Sequence, residues 1–344
     1  MNIHQVGEFG LIERVRRGFS NILPSVPVGV GDDAAVIVPS PGKYLLLSTD
    51  TLIEGNHFNL SWSSFSDVGY KAVAVNLSDI AAMGGTPLYF LISLGITEKQ
   101  SLSDIDRLYQ GIKKGSREAG IHLLGGNTCS TRGAFFVSLT ILGEVPAGRQ
   151  VTRRGAEVGD RLYVTGTLGD SAAGLILLQR GDQRRQGVGV LVKRHLTPMA
   201  RFKEGHLLSI LQLPSAMIDI SDSLAADVGH LMEQSDVGVV LDLWKIPLSP
   251  ALCRFARWTQ CDPLQVALYG GEDYELLFSV PPEKINALER LIAKKTIRAH
   301  PIGSVVEKKK GLTGILPSGA VQKIRPVGYD HFRTTSQTLS RTIL

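Results

Sequence analysis

The sequence predicts a mixed α/β chain of two domains, and three observations carry that prediction. The chain has 344 residues, more than one ordinary core organises, so two domains of about 150 to 200 residues are the default. Hydrophobic residues make up 43% and charged residues 20%, close to the norm for globular proteins, so a sizeable core is available. Short apolar runs rich in β-branched residues alternate with longer stretches of helical periodicity.

Taken in order, Val36-Ile37-Val38 and the run from Tyr44 to Leu47 are brief, apolar and strand-like. Residues 67–83 and 103–119 carry helical patterns, and 135–142 returns to a strand. The stretch 145–160 holds Pro146, Gly148, Gly155 and Gly159, the chain's clearest linker composition, and divides residues 1–148 from 149–344. Beyond it come a strand over 161–165, helices over 171–180, 199–211 and 223–234, and strands over 237–241 and 275–280. Residues 181–189 are polar and predict a surface loop. No short-period repeat or low-complexity tract interrupts this order.

Charge and cysteine usage exclude several classes. The formal net charge is +5 and the pI about 9.1, a mild excess that helps attract an anionic substrate. The basic clusters (Arg14-Arg16-Arg17, Arg184-Arg185, Lys308-Lys309-Lys310) lack the interleaved aromatics of a nucleic-acid groove and predict solvated surface. Cys129, Cys253 and Cys261 form no CxxC pair, which argues against a disulfide framework or a zinc site and for buried or partly buried thiols. The N-terminus has no charged start followed by an apolar run, and no apolar stretch approaches the roughly 20 residues of a membrane span, so a cytoplasmic protein without membrane or nucleic-acid partners is expected.

One pattern recurs: an apolar run ends, and Gly, Ser or Thr then stands beside an acid. It occurs at Gly31-Asp32-Asp33, Ser48-Thr49-Asp50, Leu77-Ser78-Asp79, Asp219-Ile220-Ser221-Asp222 and Gly270-Gly271-Glu272-Asp273, with Gly125-Gly126-Asn127-Thr128 as an amide variant. Glycine lets the backbone approach a ligand closely, and Mg²⁺ wants oxygen donors, usually one or two carboxylates plus phosphate oxygens and water. Several carboxylates therefore suggest several ions and a polyphosphate. Each acid alone also reads as a helix cap or turn former. Asp79 resists that reading, because it sits in an apolar helical stretch on the same face as Asn76, where an unpartnered carboxylate would be costly. The turn 166–170 before a helix start would present N–H groups to a phosphate, or Asp170 would simply cap the helix. The sequence has no G-x-x-x-x-G-K-[ST] loop, protein-kinase motif set, HExxH helix or Gly-x-Ser-x-Gly elbow. Any ATP bound must be neutralised largely by metal ions.

In order along the chain, GEFGLI (7–12), GDDAAV (31–36), STDTLIEGNHF (48–58), KAVAVNLSDIAAMGG (71–85), LLGGNT (123–128), TRRGAEVGDRLYVTGTLGDSAAGL (152–175), LVKRHLTPMAR (191–201), AMIDISDSLAADVGHL (216–231), YGGEDYELLF (269–278) and GYDHF (328–332) resemble the thiamine-monophosphate kinases. The resemblance implies the two-domain α/β (α+β) fold shared with aminoimidazole ribonucleotide synthetase, in which a mixed N-terminal sheet with helices precedes a C-terminal α/β domain. It implies a homodimer paired through the N-terminal domains, and phosphoryl transfer from ATP to the phosphate of thiamine monophosphate. Carried over by motif, Asp33, Ser48, Thr49, Asp50, Asp79, Asp219 and Asp222 would hold several Mg²⁺ ions, with Asp33, Asp50, Asp79 and Asp222 central to catalysis. Gly126, Asn127, Arg153 and Ser221 would contact ATP, and His57, Glu272 and Tyr329 thiamine monophosphate. Tyr329 taken alone reads equally as a C-terminal anchor. Two positions depart from the family pattern: Asn127 replaces a usual Asp, which removes one charge, and Ser223 replaces a usual Gly after Asp222. The rival readings are another ATP enzyme of the same fold, such as aminoimidazole ribonucleotide synthetase, and a non-catalytic nucleotide-binding protein. The first cysteine at Cys129 and the Ser-Arg-Thr-Ile-Leu ending argue against the selenophosphate and hydrogenase-maturation branches.

Overall fold

The computed structural model describes residues 37–328, together with Arg14, Arg17, Gly18 and residues 23–26. Asp33, Val36 and Tyr329 therefore lie outside the described residues. The chain divides into two compact units, Met1–Ile80 with Gly85–Gly148, and Ala81–Gly84 with Arg149–Leu344.

The first unit is built on four strands, β1 (Lys43–Ile53), β2 (Thr86–Ile96), β3 (His122–Ser130) and β4 (Phe136–Pro146), in the order β1-β4-β2-β3. β4 pairs antiparallel with β1 and β2, and β2 pairs parallel with β3. Helices α1 (Phe65–Ala82) and α2 (Leu102–Ala119) complete it. Ser64 starts α1 by exchanging hydrogen bonds with Asp67, and Ser101 with Asp104 forms a capping box on α2. Gly120, left-handed, ends α2. α1 is apolar on almost every side because it is buried, with Val68, Ala72, Val73, Val75 and Ile80 all nearly inaccessible. Period-2 alternation puts Leu46, Ser48, Asp50 and Leu52 on the covered face of β1 and Leu45, Leu47, Thr49 and Thr51 on the open face.

Four expectations change here. Ile37 and Val38 belong to no strand. The predicted 44–47 strand is a piece of an eleven-residue one, so Ser48 and Asp50 sit within β1 rather than beyond its end. β2 and β3 were not anticipated as strands; in β3 the Gly125-Gly126-Asn127 run imitates a turn, yet cross-strand pairing with Leu91, Ile92 and Ser93 of β2 holds it extended. Cys129 is exposed, contrary to the expected burial, while Cys253 and Cys261 are half-buried, and all three are free thiols.

The second unit is a seven-stranded mixed sheet in the order β11-β10-β7-β9-β5-β8-β6. Its strands are β5 (Arg161–Thr165), β6 (Ala216–Asp219), β7 (Gly238–Asp242), β8 (Leu276–Val280), β9 (Ala299–Val306), β10 (Leu312–Ile315) and β11 (Val321–Lys323). The helices are α3 (Asp170–Arg180), α4 (Gly189–Leu196), α5 (Phe202–Ile210), α6 (Leu224–Ser235), α7 (Pro250–Thr259), α8 (Pro263–Tyr269) and α9 (Pro282–Ala293). Both sheet faces are covered. Leu162, Val164, Ala216, Ile218 and Leu277 enter one core with Val228 and Leu231 of α6. Tyr163, Met217, Leu276 and Phe278 enter the other with Leu208 of α5 and Leu288 of α9. Strands buried on both faces read as continuous apolar runs, which is how 161–165 and 275–280 stand out in sequence. Full burial of each such side chain contributes about 1.5–3 kcal/mol. The 181–189 stretch is largely exposed, and Arg185 stacks its guanidinium 3.6 Å from the Trp258 ring centre.

Candidate active site

In the first unit the acids stand on regular elements. Residues two apart on a strand share a face, so Ser48 and Asp50 both turn toward α1. Ser48 Oγ donates a short hydrogen bond to Asp79 Oδ2. The Asp50 N–H donates to Asn76 Oδ1 at 3.2 Å, and Asn76, fully buried, donates its Nδ2–H to the Ala72 carbonyl at 2.9 Å. Burial and the negative charge of Asp79 push the Asp50 carboxyl up to about 6. Two carboxylates and a hydroxyl crowded together form an all-oxygen donor set, the kind a hard divalent cation takes, and a cation would relieve the repulsion between the two acids. Thr49 is turned away: its Oγ1 donates to the Leu139 carbonyl at 3.2 Å and accepts from Thr140 Oγ1 at 3.1 Å. Its side chain is therefore not part of the acid group, and the ligand role expected of Thr49 is left to its main chain.

His57 sits in the turn just past β1. Its Nδ1 accepts the Ile53 N–H at 3.0 Å, which leaves the ring proton on Nε2. The buried Lys71 ammonium donates to the His57 carbonyl at 3.2 Å and anchors the turn to α1. Gly126 and Asn127 lie on β3, opposite Ile92 and Ser93, and both are exposed.

In the second unit the acids stand on loops that hold one another. Asp219 ends β6, buried. Ser221 and Asp222 follow in the turn into α6. Ser223 is the N-cap of α6: its hydroxyl accepts the Ala226 N–H at 3.1 Å and donates to the Val327 carbonyl at 3.1 Å, a use for the hydroxyl that glycine could not supply. The loop 270–275 is laced onto this turn. The Glu272 N–H donates to the Ser221 carbonyl at 2.7 Å, the Tyr274 N–H to the Ile220 carbonyl at 2.8 Å, and the Ile220 N–H to the Glu275 carbonyl at 2.8 Å. A Cβ on Gly271 would lie 2.7 Å from both the Ser221 and Asp222 carbonyl oxygens, so only glycine permits this approach. Glu272 and Tyr274 have left-handed backbones (φ 64° and 51°), which costs about 1–3 kcal/mol each and persists only under such lacing. Arg153 is exposed in a loop pinned by Ser235, whose hydroxyl donates to the Arg153 carbonyl at 3.0 Å.

Three features of these loops escaped the sequence reading. The first is Asp227, buried on the first turn of α6. Its Oδ2 accepts the N–H groups of Asp222 at 3.3 Å and Ser223 at 3.2 Å. Burial, then the charges of Asp219 and Asp222, push its carboxyl up to about 8. One ligand atom from each of Asp222, Asp227 and His230 lies within 4.8 Å of the others. Like Asp79, Asp227 is an acid inside an apolar helical run, and that pattern marks it in the sequence. The second is Asp273, whose carboxylate accepts the Gly169 N–H at 2.7 Å and the Ser171 N–H at 3.3 Å. That takes up two N–H groups which the 166–170 turn and the start of α3 could have offered a phosphate, and the alternative reading fails as well, since Asp170 is the first residue of α3 and makes no side-chain cap. The third is the buried Glu275. Its carboxylate takes Arg201 through two hydrogen bonds of 2.6 Å, Arg194 at 2.8 Å and Thr165 Oγ1 at 2.6 Å. Burial opposes the Arg201 charge, but Glu275 raises its pKa above the ordinary arginine value. This ionic knot explains structurally why arginines recur in the 191–201 segment and an acid in YGGEDYELLF.

Fold and site together define the class. Residues 31–145 match the family model of the AIR synthase related protein N-terminal domain, and residues 157–314 that of its C-terminal domain. The thiamine-monophosphate kinase of Escherichia coli strain K12 is 39% identical over 339 residues, covering 95% of this chain and 99% of that protein. The crystal structure of thiamine-monophosphate kinase from Stenotrophomonas maltophilia K279a aligns with TM-score 0.80 at 33% identity, covering 90% of this chain and 96% of that one. AaThiL complexed with AMPPCP and TMP aligns with TM-score 0.76 at 36% identity, covering 96% and 99%. The chain belongs to the thiamine-monophosphate kinase family.

Proposed function

We infer that the chain transfers the γ-phosphoryl group of ATP to the phosphate of thiamine monophosphate, giving thiamine diphosphate and ADP. The observation that carries this reading is the near full-length likeness to a relative solved with AMPPCP and TMP. The attacking group is a phosphate oxygen that is already largely deprotonated at neutral pH, so no strong general base is needed. A bond forms between that oxygen and Pγ, and the bond from Pγ to the β,γ-bridging oxygen breaks. The obstacle is bringing two anions together, which costs roughly 1 kcal/mol for each pair of unit charges about 4 Å apart in water and several-fold more where water is excluded.

The residues suit that task. We assign Asp33, Ser48, Asp50 and Asp79, with the Thr49 main chain, to holding Mg²⁺ in residues 1–148, and Asp219 and Asp222 to holding it in residues 149–344. Bound there, Mg²⁺ would screen the phosphates and stabilise the departing ADP. Gly126, Asn127, Arg153 and Ser221 are assigned to ATP, Arg153 offering a planar fork for phosphate oxygens. His57, Glu272 and Tyr329 are assigned to thiamine monophosphate, Glu272 opposing its cationic thiazolium and Tyr329 contributing an aromatic ring, a group that attracts cations. Asn127, lacking the usual charge, would leave one ion more weakly held. Residues 1–148 also serve dimerisation: Leu45 and Leu47 stand on the open face of β1 with 45% and 67% exposure, an apolar strip suited to a second copy. Among the described residues no helix is long and apolar enough to cross a membrane. A cytoplasmic setting belongs to the same proposal, since the reaction draws on ATP and Mg²⁺.

The test is direct. Pure protein with ATP, Mg²⁺ and thiamine monophosphate is expected to form ADP and thiamine diphosphate in equal amounts. ATP turnover only with formylglycinamidine ribonucleotide would replace this reading by the synthetase one, and tight ATP binding without turnover by a non-catalytic one. Light scattering checks the dimer: Leu47→Lys should convert a two-chain particle into a single chain.

A further inference from the structure

The catalytic reading gives no task to His195, yet it is one of the most deliberately placed polar side chains of the second unit. It lies on α4 with its side chain 5% exposed, and its Nδ1 is 3.1 Å from Glu272 Oε2 and 3.2 Å from Ser171 Oγ. An ionised carboxylate only accepts hydrogen bonds, so the Glu272 contact places the ring proton on Nδ1. Ser171 opens α3, where its N–H is already held by Asp273, the neighbour of Glu272. α3 and α4 pack too closely at this point to approach further. A Cβ on Gly174 would lie 2.2 Å from the Leu191 carbonyl oxygen and 3.1 Å from His195 Cβ. The imidazole is thus held where two helices pack, and it meets the Glu272 carboxylate from there.

Glu272 needs such a hold. Its backbone is left-handed, its N–H is committed to Ser221, and its side chain keeps 26% exposure, so only side-chain contacts can aim the carboxylate. We propose that His195 is a positioning residue that aims the Glu272 carboxylate, through Nδ1–H, at the cationic ring of the acceptor substrate, and so sets affinity for that substrate rather than for ATP. The proposal rests on the assignment of Glu272 to thiamine monophosphate.

Steady-state kinetics of four variants test it, with thermal melts confirming that each is folded. In His195→Asn the amide nitrogen falls near the place of Nδ1, whereas in His195→Gln it reaches the place of Nε2. His195→Gln and His195→Ala should raise KM for thiamine monophosphate about tenfold, the worth of one hydrogen bond to a charged group. KM for ATP and kcat should stay within about threefold, and His195→Asn should restore the wild-type KM. Glu272→Gln should raise the same KM, and adding His195→Gln to it should raise it no further. An Asn variant as impaired as the Gln variant, or equal losses in kcat and in KM for both substrates, would reduce His195 to packing and overturn the proposal. A wild-type KM in His195→Gln beside a raised one in Glu272→Gln overturns the proposal while leaving Glu272 at the substrate. A wild-type KM in Glu272→Gln removes Glu272 from the substrate, and the proposal with it. Should His195→Ala fail to fold, the Asn and Gln pair, alike in polarity, decides alone.

Discussion

The two sets of acids are held by opposite means. In the first unit, Ser48, Asp50 and Asp79 ride on an eleven-residue strand and a buried helix, and regular period-2 and helical geometry places them. In the second, Asp219, Ser221, Asp222 and Glu272 belong to short turns whose shape comes from cross-loop hydrogen bonds and left-handed backbones. A set on regular elements is rigid without help, so its acids can be changed with little effect on folding. A set on laced loops spreads its cost over many partners: Glu275, Asp273 and Asp227 have no ligand role in the proposal, yet they define the loops on which the proposed ligand residues of that unit stand.

The largest expected effect tests the rigid set. Asp79→Asn should lower kcat by about 10²–10³, while the melting temperature without Mg²⁺ holds or rises, because a charge crowding Asp50 is gone. A fall in melting temperature matching the activity loss would show that Asp79 holds the fold after all. Next comes the laced set. Glu275→Gln leaves Arg201 and Arg194 without their buried counter-charge and should cost about 3–5 kcal/mol in urea unfolding. A loss below about 1 kcal/mol, the range of an exposed pair, would mean the knot is dispensable.

A smaller effect is read from pH. Burial pushes the Asp273 carboxyl from 3.8 up to about 8, against the pull of its two N–H donors. The folded chain therefore keeps that proton after the unfolded chain has lost it. The associated stability is fully present below about pH 4 and is lost as pH rises toward about 8. Asp273→Asn should flatten that decline, so wild type and variant converge at the acid end and separate toward pH 8; parallel melting curves across the range would count against it. The smallest effect is at Thr49. With its side chain on the far face of β1, Thr49→Val should leave kcat and the Mg²⁺ requirement within about twofold. A tenfold rise in required Mg²⁺ would return the hydroxyl to the ligand set.

Much of the site was legible because its chemistry is written locally. Asp79 stands out as an acid among Ala72, Val73, Val75 and Ile80, and Asp219 and Asp222 as acids closing an apolar run. In the second unit β5, β7 and β8 were legible as short apolar runs, while β6, β9, β10 and β11 were not read as strands. Nor were β2 and β3; the Gly125-Gly126 pair of β3 looks like a turn but is held extended against β2. Ser223, a departure from the family pattern on sequence, proves to be an N-cap. Asp227 was missed although its signal matched that of Asp79.

The sequence by itself determined the two-part α/β order, the acids and their likeness to one enzyme family, because periodicity, composition and motif order are properties of neighbours along the chain. The tertiary structure alone decided which face of β1 each residue takes, that Asp273 accepts the N–H groups at the N-terminus of α3, and that His195 meets Glu272 across 77 positions of sequence. Those facts depend on register, helix packing and the burial of charge between elements far apart in the chain, and no local pattern encodes them.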